Sequence, residues 1–138
     1  MHYSNLISTS IPKNVSKEIL AYIDEINELL PNLLNLSKED LESLPKVSYD
    51  NIDFVHEVLA IAEEDPKLIP DNIDINEIRK DVQLTDSIIR ILIPLKKLVK
   101  KLENNALLAG SEAYVPSMAI FNALKTRKRM GRISVAVS

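Results

Sequence analysis

Apolar residues recur along this chain at steps of three and four, and prolines cut the pattern into segments while almost no glycine interrupts it. Seven prolines and only two glycines stand in 138 residues. A sheet protein needs many turns with positive φ, and hence glycine, whereas an amphipathic helix needs only the three-four step. The chain is therefore predicted to be all-α.

The elements follow from that pattern and from capping chemistry. Residues 1–14 hold Ser, Thr, Pro and Asn without periodicity and read as a flexible N-terminal arm. Ser16 is the expected N-cap of a first helix carrying Ile19, Leu20, Ile23, Ile26, Leu29 and Leu30, which Pro31 ends. Ser37 and Asp40 have the spacing of a capping box, opening a short helix near 37–44 that Pro45 stops. Ser48 or Asp50 is expected to cap a helix over about 51–65, with Ile52, Phe54, Val55, Val58, Leu59, Ile61 and Ala62 on its apolar arc. Pro66 and Pro70 keep the following residues out of a helix.

Asp74 and Glu77 form a second capping-box pair before the longest periodic run, about 29 residues. Asn104 and Asn105 tolerate the left-handed backbone of a tight turn, so the spacing predicts a hairpin there and a last helix to about Lys128. Four long helices with short connections fit an up-and-down four-helix bundle with an additional short helix near 37–44. The alternatives are a helical hairpin that completes its bundle only in a dimer, and an irregular array of five helices. On this reading residues 15–128 form a single helical-bundle domain and 129–138 a flexible basic tail.

Short segments in a fixed order also resemble an uncharacterised family of small all-helical bacterial proteins. They are Leu30 and Pro31, the LPK of Leu44, Pro45 and Lys46, Phe54 with Val55, the spaced Pro66 and Pro70, the KDV of Lys80, Asp81 and Val82, and the GSEAY that starts at Gly110 and ends at Tyr114. The resemblance covers about 29–125 and implies a helical fold. It carries no catalytic residue, ligand or partner, because the family has no established function. Pro116 and the basic stretch 125–132 depart from the pattern.

Composition removes several chemistries. The absence of cysteine excludes disulfides, thiolate metal sites and thiol nucleophiles, and fits a reducing compartment. The first dozen residues lack a basic start followed by an apolar stretch, so no signal peptide is expected and a cytoplasmic location is the default. Metal ligation needs converging donors, and the chain has two histidines; Asp53, His56 and Glu57 have helical spacing, but His56 falls at the edge of the apolar arc and reads as a rim residue. Ser111 lacks the strand-turn-helix elbow of a nucleophilic serine. No catalytic residue, cofactor or metal is expected.

The charge is lopsided: residues 1–80 carry 16 acidic and 7 basic side chains, residues 81–138 carry 4 and 10, and the halves stand at −9 and +6. An acidic half folding against a basic one, or a basic surface kept for an acidic partner, both satisfy this. Residues 106–124 contain Glu112 as their single charge, with the small residues Ala106, Ala109, Gly110 and Ala113. Such a helix is expected at the centre of a bundle, or partly covered by a second subunit; the carboxylate argues against a membrane span.

A hairpin turning at Asn104 and Asn105 sets Glu112 level with Lys97, within reach of Lys96 and Lys100, as a structural ion pair or a pocket carboxylate. It also sets Pro116 beside Pro94, so that both helices bend at one level and leave the carbonyls of Arg90 and Glu112 without their helical donors. Basic residues at a helix end complement its dipole, so the 125–132 cluster does not by itself indicate nucleic-acid binding. The chain thus reads as a non-enzymatic helical binding or assembly module working through self-association or a protein partner. Gly110, Glu112, Ala113, Tyr114 and Lys97 are the candidate surface, and neither nucleic acid nor a membrane is the expected partner. The competing readings are a small-ligand site near Glu112 and the two prolines, and reversible membrane attachment through the last helix.

Overall fold

The computed structural model describes residues 5–47 and 49–127. Ser48, the basic residues Lys128, Arg129 and Arg132, and the tail 129–138 lie outside the described residues. Among those described there are helices and no strand: α1 (Lys13–Leu29), α2 (Lys38–Ser43), α3 (Tyr49–Glu64), a 3-10 turn (Pro66–Leu68) and α4 (Ile75–Thr126). The all-α expectation holds.

Local signals place most of the element ends. At α2 the Ser37 hydroxyl accepts from the Asp40 amide at 3.0 Å and the Asp40 carboxylate accepts from the Ser37 amide at 3.3 Å, a complete capping box. Asp74 accepts from the Asn76 amide at 2.9 Å at the start of α4, while Glu77 takes the Lys80 ammonium at 3.4 Å. Pro66 opens the 3-10 turn, where its missing N–H is no loss. Two starts differ from expectation. α1 begins behind Pro12, whose carbonyl accepts from the Ser16 amide at 3.0 Å, so Ser16 closes the first turn and is not the cap. α3 begins at Tyr49, which puts Asp50 inside the helix.

The largest difference is α4. It runs unbroken for 52 residues through Asn104 and Asn105, where the hairpin was expected. Each asparagine costs a helix only about 0.6 kcal/mol relative to alanine. Strong helix formers stand on both sides, from Lys100 to Glu103 and from Ala106 to Ala109, and no glycine or proline marks a break. Asn105 also donates its side-chain amide to the Lys101 carbonyl one turn back at 2.8 Å, which settles it inside the helix. Tolerance of a turn is therefore outweighed by helix propagation.

The chain divides into two compact units, 12–94 and a terminal unit joining 1–11 to 95–138. In the first, α3 and the start of α4 are antiparallel neighbours. Glu63 takes Arg79 through Nε and Nη2, both at 2.9 Å, and His56 Nε2 meets Asp86 Oδ1 at 3.1 Å. Between those two levels lie Leu59 and Val82, the buried apolar side chains among the described residues. Every residue of α1 on its apolar stripe remains exposed, including Ile19 (46%), Ile23 (47%) and Ile26 (40%).

In the terminal unit, the segment around Leu6 and Ile7 lies against α4 at Glu112. Residues 106–124 were expected at the centre of a bundle, yet only Leu108, Glu112, Met118, Phe121 and Leu124 are half-buried and the rest of that stretch is exposed. With the hairpin gone, one chain has no antiparallel neighbour folded back from Asn105 to cover it.

Candidate functional site

Glu112 is the anchor of the terminal unit. Its Oε2 accepts from the Leu6 amide at 2.6 Å and its Oε1 from the Ile7 amide at 3.1 Å, and Asn5 donates its side-chain amide to the same carboxylate. A carboxylate has about four acceptor positions, and charge-assisted bonds of this kind are roughly twice as strong as neutral ones. Ile7 is half-buried beside it. The residue singled out by sequence is thus functional in a structural sense: it ties the segment 5–7 to position 112. Nothing local announces this, because backbone amides carry no residue identity.

The rest of the expected constellation is redistributed. Lys97 stands about four turns before Glu112 on the same helix, so the two do not face each other within one chain. Pro94 and Pro116 are about six turns apart for the same reason, and the shared level on which a small-ligand site depended is absent. Pro116 has the Ser117 hydroxyl beside it, donating at 2.7 Å to the Ala113 carbonyl.

Gly110, Ala113 and Tyr114 remain together on the exposed side of α4. Ala106, Leu107, Gly110, Ser111, Tyr114 and Val115 line a shallow hollow of about 340 Å³. A Cβ built on Gly110 meets nothing within 4 Å, so the close approach that would offset its helix cost is not made inside the chain. At the helix end, the Lys125 ammonium sits 5.6 Å from the Phe121 ring centroid, one turn back.

A second concavity was not foreseen. Val47, Ile52, Val55, Ile78, Val82 and Thr85, with Asp81 at its side, line an open groove of about 520 Å³ between α3 and α4. Its apolar walls were legible as the inner arcs of two helices; that no third helix fills it was not. The Thr85 hydroxyl donates to the Asp81 carbonyl at 2.8 Å. His56, read from the helix wheel as a rim residue, has an exposed side chain and meets Asp86, a partner the wheel does not name.

No protein-family model, curated protein or solved structure matches the chain. Among the described residues, no helix is long and apolar enough to cross a membrane.

Proposed function

We propose that this chain is a non-enzymatic helical binding or assembly module, located in the cytoplasm and acting through self-association or a protein partner. One observation carries the reading: large apolar side chains stand exposed at Ile19, Ile23 and Ile26 along the stripe of α1 and at Leu102 and Leu107 on α4, while among the described residues Leu59 and Val82 are the buried ones. Apolar surface is worth about 25 cal/mol per Å² when covered, and contiguous exposed stripes of this kind mark interaction surfaces. The up-and-down bundle expected from sequence is then completed by association. The groove between α3 and α4 offers an apolar side chain a place to enter, with Asp81 at its rim to select a polar or basic neighbour.

Molar mass by size-exclusion chromatography with light scattering, across concentration and at low and high salt, tests this. The expected result is a mass above 15.5 kDa that rises with concentration. A chain that stays at 15.5 kDa throughout and does not bind an apolar dye such as ANS would overturn the reading.

A further inference from the structure

The groove between α3 and α4 is apolar along its walls and acidic around them. Val47, Ile52, Val55, Ile78 and Val82 line about 520 Å³, within the range of about 300–1,000 Å³ typical of ligand pockets. Asp81 stands beside them, and among the described residues its carboxylate has no ion-pair or hydrogen-bond partner, whereas Glu63, Glu77 and Asp86 are matched by Arg79, Lys80 and His56. Residues 51–86, which include both helical walls, carry 10 acidic and 3 basic side chains. Such a groove selects a segment that brings apolar side chains and cations together.

Three segments of this chain compete for it. The stripe of α1 is apolar, but α1 carries four acidic and two basic residues and would set like charge against like. The lysine-rich run of α4 holds Lys97, Lys100 and Lys101 on the side away from Leu95, Val99 and Leu102, so its charge and its apolar surface do not reach one groove together. Residues 125–138 meet both conditions. They carry Lys125, Arg127, Lys128, Arg129 and Arg132 with no acid, then Ile133, Val135 and Val137 at steps of two, which an extended segment sets on one side. Length decides which copy supplies them. Forty-four residues of unbroken helix separate Val82 from Thr126, about 66 Å at 1.5 Å per residue. Val137 follows Thr126 by eleven residues, which span about 40 Å at most.

We propose that the groove of one molecule takes the tail 129–138 of a second copy, with Ile133, Val135 and Val137 against its apolar walls and the tail's arginines at Asp81. The tail itself lies outside the described residues. This deepens the assembly reading above, on which it rests, by naming the segment that associates. The acidic and basic halves of the sequence then meet between molecules, where their opposite charge speeds encounter and fixes the partner.

Charge exchange in the full chain tests the pairing. Asp81→Lys alone, and Arg129→Glu with Arg132→Glu alone, are each expected to weaken self-association at low salt about tenfold or more, read by light scattering across concentration. An equimolar mixture of the two is expected to regain it, because each altered groove then meets an altered tail and each native groove a native tail. Val135→Asp sets a charge among the apolar residues and is expected to weaken association at high salt as well as low. Circular dichroism checks that each variant stays helical. A mixture no stronger than its components, or a Val135→Asp chain that associates as the parent does, overturns tail docking and leaves the assembly reading standing. A folded parent chain that remains at 15.5 kDa at every concentration overturns tail docking and the self-association on which it rests together.

Discussion

At the scale of single residues, burial separates the side chains that hold the first unit together from those that trim its surface. Leu59 and Val82 are the interior between α3 and α4, so truncating Leu59 removes transfer energy and leaves a void. Leu59→Ala is expected to destabilise that unit by about 2–3 kcal/mol, read from the urea midpoint. Arg79 holds Glu63 and Asn76 at the same interface, but its side chain is 39% exposed, and Arg79→Ala should cost about 1 kcal/mol or less. Tyr22 makes a sharper test. Its hydroxyl donates to Glu18 at 2.7 Å, and this bond to a carboxylate raises the phenol above its ordinary 10.0, with a smaller contribution from desolvation. Because the protonated phenol is the form the folded helix favours, the stabilisation is present below pH 10 and is lost as pH rises through the raised value. Absorbance titration of the full chain should show one tyrosine moving back toward 10.0 in Glu18→Gln.

At the scale of elements, the helix starts divide into those that local chemistry dictates and those that propagation overrides. Ser37 and Asp40 satisfy each other's amides over three residues of separation, so their capping box depends on nothing remote. Asn104 and Asn105 are the opposite case. Their tolerance of a turn is real, but a turn there breaks the i to i−4 ladder of two strong flanking segments, and a few tenths of a kcal/mol per asparagine do not offset that. Replacing both by alanine is accordingly expected to stabilise α4 by about 1 kcal/mol and raise helicity in circular dichroism. If the chain turned at these residues, the same change would lower stability, because alanine resists the left-handed backbone.

At the scale of the whole molecule, Glu112 reaches Leu6 and Ile7, more than a hundred positions away in sequence. Glu112→Ala is expected to abolish hydrogen-exchange protection of the Leu6 and Ile7 amides while leaving α4 helical, since alanine is the better helix former. Glu112 was legible as an unusual charge in an apolar stretch, yet its partner was not, because any residue's amide could have served. Lys97 was its predicted partner through the turn at Asn105, and that inference failed with the turn.

Sequence by itself determined the class of this protein and most of its helix boundaries, because three-four periodicity, prolines and the Ser37 capping box act over a few residues and need no remote partner. Only the tertiary structure decided that α4 is continuous, that Glu112 binds backbone amides of the segment 5–7, and that Leu59 and Val82 are buried while the stripe of α1 and the Leu98, Val99 and Leu102 side chains of α4 stay exposed. Periodicity says which side of a helix must be covered. What covers it is set by contacts between residues far apart in sequence, or between molecules, and those depend on geometry that no local pattern encodes.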